Sequence, residues 1–215
     1  LPVVYFFRKN DSLLHFVKPV FDRRVFLKTC TNGSSELMTN LSMSLVNALY
    51  NLQLMKIAGE NGVAAYGAVM YVNFIFVATF LGYAIGCAPV ISYHYGAGNH
   101  AELKNLYKKS MSIILVWGVI LFGAAQLLAP VLSKIFVGYN TGLYAMTLHG
   151  FRVYAIAFLI IGINIFGSSF FTALNNGLIS AVISFLRTLV FQVIMVLTLP
   201  LWFGINGIWS AISIA

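Results

Sequence analysis

Acidic residues are scarce in this 215-residue chain: Asp11, Asp22, Glu36, Glu60 and Glu102 are the whole set, and charged residues of both signs make up only 8% of it. A soluble domain carries roughly 25% charged residues, so a water-soluble globule is excluded. Cysteine is also sparse. Cys30 and Cys87 are too few for a disulfide framework, and no Cys/His grouping has metal-ligand spacing, so neither redox chemistry nor a metal site is indicated. Residues 1–7 lack a basic leader and a small-residue cleavage site, and are not read as a signal peptide.

What is present is hydrophobic: 60% of the residues are apolar and the mean hydropathy is +0.89. Thirteen Lys and Arg leave a net charge of +8, which suits either nucleic acid or an anionic membrane surface. The charges fall between apolar runs, which favours the membrane and gives no nucleic-acid partner. Five runs reach the ~20 residues a helix needs to cross a bilayer: 36–58, 63–92, 111–133, 151–174 and 178–202. The equally apolar but shorter 1–7 and 205–215 are expected to be pieces of two further helices. The fold expected is therefore an all-α membrane bundle truncated at both ends. Its parts are the end of a preceding helix (1–7), a basic linker (8–32) and a transmembrane lobe of five full helices plus the start of a sixth (33–215).

Basic residues set the orientation, because cytoplasmic connections retain Lys and Arg. Arg8, Lys9, Lys18, Arg23, Arg24 and Lys28 in the linker, Lys104, Lys108 and Lys109 after the second span, and Arg187 near the turn at 175–177 share one side. Only Lys56, Lys134 and Arg152 lie opposite. The linker and the 95–110 segment are thus expected in the cytoplasm, at the cell membrane. Leu13, Leu14, Phe16, Val17, Val20 and Phe21 alternate with basic residues around Pro19, which fits either an interfacial helix or a solvated tether.

Gly82 and Gly86, four residues apart in a span, lie on one helix face and admit a close neighbour. Pro89, one turn on, is expected to bend the helix. Gly96-Ala97-Gly98-Asn99-His100-Ala101 matches a G-x-G-x-x-A dinucleotide fingerprint, but a membrane helix precedes it instead of a strand, and no acid for a ribose follows some 20 residues on. Gly96 and Gly98 are read instead as a tight turn into a helix over 101–110.

Polar residues inside spans each need a partner or a wet cavity. Asn40, Ser44, Asn47 and Asn51 recur at steps of four, three and four, which draws one stripe down one helix face. Asn73, Asn164, Ser168 and Gln192 in other spans are candidates for the same cavity, against the plainer reading that they bond neighbouring helices. Arg187 either snorkels to headgroups or pairs within the bundle, with Glu36 the nearest acid in the arrangement. No carboxylate sits in the middle of a span. His15, His94, His100 and His149 form no catalytic grouping, so no enzyme is expected. Most aromatics are expected to face lipid or other helices, with Trp202 and Trp209 as interfacial belt residues.

The segment Ala88-Pro89-Val90-Ile91-Ser92-Tyr93-His94-Tyr95-Gly96-Ala97-Gly98-Asn99 resembles the cytoplasmic loop motif of the multidrug and toxic compound extrusion (MATE) transporters. Asn61-Gly62-Val63-Ala64-Ala65-Tyr66-Gly67, Phe171-Thr172-Ala173-Leu174-Asn175-Asn176-Gly177 and Ile205-Asn206-Gly207-Ile208-Trp209-Ser210-Ala211 are further matches, and Arg187 stands where that family commonly has a basic residue. The resemblance implies twelve helices in two six-helix lobes joined by a cytoplasmic linker, with these residues forming the linker and the C-terminal lobe. It also implies exchange of protons or sodium ions for amphiphilic, often cationic compounds by alternating access, without a cofactor. One branch of the family holds its ion with acids in the seventh and tenth helices. Here the seventh has Met43 with neutral neighbours and the tenth has no acid, so the coupling carboxylate is expected in the N-terminal lobe. Alternatives are a lipid-linked saccharide flippase of the same architecture and a scaffold or channel module without coupled transport.

Overall fold

The computed structural model describes residues 21–214, which are helical nearly throughout and include no strand. The chain order is α1 (Arg23–Gly96), α2 (His100–Val137), α3 (Thr141–Tyr154), a short 3-10 turn (Ala155–Ala157), α4 (Phe158–Ala173), α5 (Gly177–Phe185), a π-helical turn (Leu186–Phe191), α6 (Gln192–Phe203) and α7 (Ile205–Ile214). By its contacts the chain divides into Leu1–Cys30 and Thr31–Ala215. Of the first unit, the expected helix end at 1–7 and the linker as far as residue 20, Pro19 included, lie outside the described residues. Its described part begins a helix, because the Asp22 carboxylate accepts the N–H groups of Arg24 at 2.7 Å and Val25 at 3.3 Å.

Four of the described helical segments are long and apolar enough to cross a bilayer: Leu37–Gly96, His100–Val137, Thr141–Ala173 and Gly177–Phe203. The first, at 60 residues, is about 90 Å of helix against a hydrocarbon core of about 30 Å. It therefore supplies two crossings, and Gly59 divides them. Its φ of 63° and ψ of −154° are non-helical and favour glycine, so the limbs before and after it fold back on each other. Hydropathy marks where a segment is apolar, whereas a helix begins at its cap. α2 starts at His100 and includes the helix expected over 101–110 together with the apolar run from 111, and the segment expected from 151 begins at Thr141. The α1 backbone stays helical through Pro89.

Two reversals share one design. The Asn99 N–H donates to His94 O and the Gly98 N–H to Tyr95 O, which closes α1 around a left-handed Gly98 (φ 68°). The Asn176 N–H donates to Phe171 O and the Asn175 N–H to Thr172 O around a left-handed Asn175 (φ 57°). In each case the next asparagine caps the following helix, Asn99 accepting from Glu102 N and Asn176 from Ile179 N.

In lipid, helices associate by close packing and a few polar bonds. The second limb of α1 packs on α2 and α4: the Phe76 and Phe158 rings are 5.1 Å apart, the Tyr83 hydroxyl bonds Ser110 Oγ at 3.0 Å, and Ser92 Oγ donates to Ala173 O at 2.9 Å. A Cβ on Gly162 would enter the Phe80 ring, and one on Gly150 would fall 2.6 Å from the Trp209 indole. Trp209 is consequently no belt residue. It is buried to 1% exposure, because Gly150 leaves room for the indole between α3 and α7, whereas Trp202 is 84% exposed. Gly82 and Gly86 meet no described neighbour on their face.

Gly150→Ala is expected to destabilise the full chain by about 1–3 kcal/mol through overpacking. Gly123→Ala, with nothing within 4 Å of the added carbon, is expected to be neutral or to gain up to ~1 kcal/mol of helix propensity. Thermal unfolding in detergent reads both, and an unshifted Gly150→Ala would mean the indole does not pack there.

Candidate substrate-facing site

On the first limb of α1, Val46, Tyr50 and Leu54 are buried, while Asn40, Ser44, Asn47 and Asn51 are exposed along an adjoining face. Their spacing near the helical period produces this. Within the stripe, Ser44 Oγ donates to Asn40 O at 3.0 Å and Asn51 Nδ2 to Asn47 O at 2.9 Å, and the Asn47 side-chain oxygen accepts the Tyr66 hydroxyl at 2.9 Å. Asn47 is thus oriented from behind. An open apolar cleft of about 510 Å³ occupies the neighbouring face of the same limb, walled by Leu45, Leu49 and Leu52 on one side and Leu189, Val193 and Ile194 on the other.

An aromatic layer supports the stripe from inside the bundle. Tyr50 and Tyr66 stack with centroids 5.1 Å apart and planes within 8°, and Tyr66 in turn lies 6.5 Å from Trp209. The buried Tyr50 and Tyr154 hydroxyls and the Trp209 N–H have no hydrogen-bond partner among the described residues. The sequence places Tyr66 in the run Asn61 to Gly67 and assigns no role to Tyr50 or Tyr154. The available signal was Tyr50 one turn after Asn47, but its partner comes from beyond Gly59, which spacing along one helix does not reveal.

The other predicted cavity residues are distributed differently. Ser168 Oγ bonds Ser180 Oγ at 2.9 Å and Ser184 Oγ at 2.8 Å, and Thr172 Oγ1 donates to Ser180 Oγ at 2.8 Å. Ser168, Ser180 and Ser184 are buried, so this chain of hydroxyls joins α4 to α5. Asn164, one turn before Ser168, and Gln192, at the start of α6, are half-buried. Asn73, on the second limb of α1, is half-buried, and its side-chain oxygen has no partner among the described residues. Arg187 lies in the π-helical turn, an irregularity that often marks functional positions. Its Nε and Nη2 donate to Thr188 Oγ1 at 3.4 and 3.3 Å, and its buried Nη1 has no hydrogen-bond partner among the described residues. The side chain of Glu36, the acid named as a candidate for pairing with it, lies outside the described residues. Pro89 is exposed on α1, and Gly96 and Gly98 form the turn into α2. Among the described residues no group of His, Cys, Asp and Glu is placed to hold a metal ion.

These features define an all-helical, multi-span membrane protein with an amide-lined outer face on one broken helix. The MatE family model matches residues 37–198, and the chain belongs to that family. Its fold is similar to a crystal structure of MATE in complex with MaL6, at 21% identity and a TM-score of 0.89, over 99% of this chain and 48% of that one. It is also similar to the outward-facing conformation of a multidrug resistance MATE family transporter of the MOP superfamily, at 22% identity and a TM-score of 0.88, over 99% and 48% of the two chains. A third likeness is to a MOP superfamily transporter from Pyrococcus furiosus for which reverse polarity of the binding pocket suggests a different function. That match has 22% identity and a TM-score of 0.87, again over 99% and 48%. The chain spans about half the length of these structures. No curated protein matches its sequence.

The exposed stripe and the buried hydroxyl cluster differ in a measurable way. In the full chain, Asn47→Cys and Asn51→Cys are expected to react with a water-soluble maleimide in at least one conformation, while Ser184→Cys stays unlabelled until the protein unfolds. Labelling of Ser184→Cys at the rate of Asn47→Cys would contradict the α4–α5 packing.

Proposed function

We propose that the protein is a cation-coupled exporter of amphiphilic compounds and that this chain supplies its C-terminal lobe, one wall of a central cavity. The observation that carries this reading is the juxtaposition on one limb of α1 of an exposed amide stripe and an open apolar cleft. An amphiphile needs both surfaces: carboxamides for its polar group and a hydrocarbon wall for its apolar body. Membership of the MatE family and the likeness of the fold to solved MATE structures support it.

Small, often cationic amphiphiles are the substrates in this reading, with the carboxamide oxygens of the stripe as neutral acceptors for their polar groups. Asn40, Ser44, Asn47 and Asn51 make the first contacts, with Asn73, Asn164 and Gln192 further candidates; Ser168 acts by holding α4 to α5. Rocking of this lobe against an N-terminal one exposes the stripe to the two sides in turn. The coupling ion, a proton or sodium, binds a carboxylate of that other lobe. The linker and the segment over 95–110 lie on the cytoplasmic side of the cell membrane, where Lys104, Lys108 and Lys109 belong by the positive-inside bias.

Replacing Asn47 and Asn51 by Leu in the full chain is expected to lower ethidium efflux from cells by about tenfold or more, because two hydrogen bonds of ~1 kcal/mol each are lost. Membrane expression should stay at the level of the unsubstituted protein. Unchanged efflux would remove the stripe from the substrate path, and absence of drug-dependent proton or sodium flux in vesicles would overturn coupled transport.

A further inference from the structure

A second groove lies away from the amide stripe, where the ends of α1 and α4 meet the start of α2. It encloses about 450 Å³, and its lining includes Tyr95, His100, Lys104, Tyr107, Phe170 and Phe171. On α2, His100, Lys104 and Tyr107 recur at steps of four and three and so share one face. On α4, Phe170 stands edge-on to Tyr107 with centroids 5.3 Å apart, and Phe171 stands edge-on to Phe170 at 6.3 Å. The groove thus has an aromatic wall running along the helices and a cationic rim where they end.

We infer that this groove binds an anionic phospholipid, with Lys104 at the headgroup phosphate and an acyl chain laid along Phe170 and Phe171. Three features carry the assignment. The first is position: the groove sits beside the Gly98 and Asn175 reversals, tied together by the Ser92 to Ala173 bond, so its rim is at the end of the membrane-crossing helices. Tyrosines at that level place an apolar ring toward lipid and a hydroxyl toward headgroups.

The second is charge. Lys104 is exposed, Lys108 follows one turn later on the same side, and Lys109 adds a third cation. The nearby acid, Glu102, has both carboxylate oxygens 3.1 Å from the Asn105 amide and stands two residues from Lys104, where helical side chains do not face each other. The rim is therefore net basic, at the end that the distribution of Lys and Arg assigns to the cytoplasm. There the leaflet is anionic, and basic pockets between helices take acidic headgroups. A choline headgroup would set a second cation beside Lys104.

The third is the wall. A free phosphate ester would use Lys104 and leave the aromatic surface uncovered, whereas a lipid uses both.

The test is native mass spectrometry of the full chain in detergent, titrated with phosphatidylglycerol and with phosphatidylcholine of the same acyl chains. One phosphatidylglycerol is expected to be retained with about five- to tenfold preference, the factor one lysine near an anionic surface supplies. Lys104→Gln should abolish the preference and Lys109→Gln should keep it, with melting temperatures unchanged in both. Phe171→Ala should weaken retention of both lipids, and glycerol 3-phosphate at millimolar concentration should displace neither. Equal retention of the two lipids, equal effects of the two lysine substitutions, or displacement by glycerol 3-phosphate would each overturn the proposal.

Discussion

A backbone inside hydrocarbon has no water to bond, so each N–H and C=O must be satisfied by the chain itself, and this decides where every helix of the lobe can end. The three reversals between long helices show one answer in three forms. At 98–99 and 175–176 a left-handed residue closes the outgoing helix and an asparagine opens the next. At 138–140 the Gly138 N–H donates back to Lys134 O while Asn140 accepts from the N–H groups of Gly142 and Leu143 at 3.0 and 3.1 Å. Asparagine serves both tasks because its short amide tolerates the left-handed region and accepts from a backbone N–H two or three residues on. Tight reversals make sequential helices neighbours, and the hydroxyl and aromatic contacts between α4 and α5 and between α1 and α2 follow from that adjacency.

The same requirement sorts the side chains. Ser168, Thr172, Ser180 and Ser184 satisfy one another across α4 and α5 and leave little for a ligand. On the first limb of α1, Asn51 Nδ2 bonds along its own helix and the Asn47 side-chain oxygen accepts from Tyr66, while both residues remain exposed. The two polar clusters therefore differ in kind: the hydroxyl cluster is buried between helices, and the amide stripe is exposed. That difference gives the α1 stripe a stronger claim to a ligand than Ser168 has.

Much of the architecture was legible because hydropathy and helical period are local properties. The long apolar helices, the turn at Gly96 to Asn99 and the exposure of Asn40, Ser44, Asn47 and Asn51 along one helix all follow from residues within a few turns of one another. What escaped depends on contacts between distant segments. Trp209 reads as an interfacial aromatic until Gly150, about 60 residues earlier, is seen to leave room for its indole. Ser168 is equally plausible in a cavity or in a seam until Ser180 and Ser184 are placed opposite it. The π-helical turn at Arg187 has no composition signature, since it reflects one additional residue accommodated within a continuous helix. The start of the helix at Thr141 lies outside the apolar run from 151 for a related reason, since a capped first turn is helical without being apolar.

The broken helix links these levels. Asn47 and Tyr66 are 19 residues apart, on opposite sides of Gly59, and the hydrogen bond between them together with the Tyr50–Tyr66 stack bridges the two limbs. The glycine permits the reversal but does not set its angle, because a residue without a side chain constrains its backbone least. The angle is set where side chains meet, and one of those meeting points is the carboxamide at the centre of the exposed stripe. Any rotation about Gly59 changes the Tyr66–Asn47 distance, so the orientation of the presented amide and the angle between the limbs are one variable. A cavity residue held in this way is positioned by the fold of the lobe as a whole, which is why its immediate neighbours in sequence are insufficient to explain it.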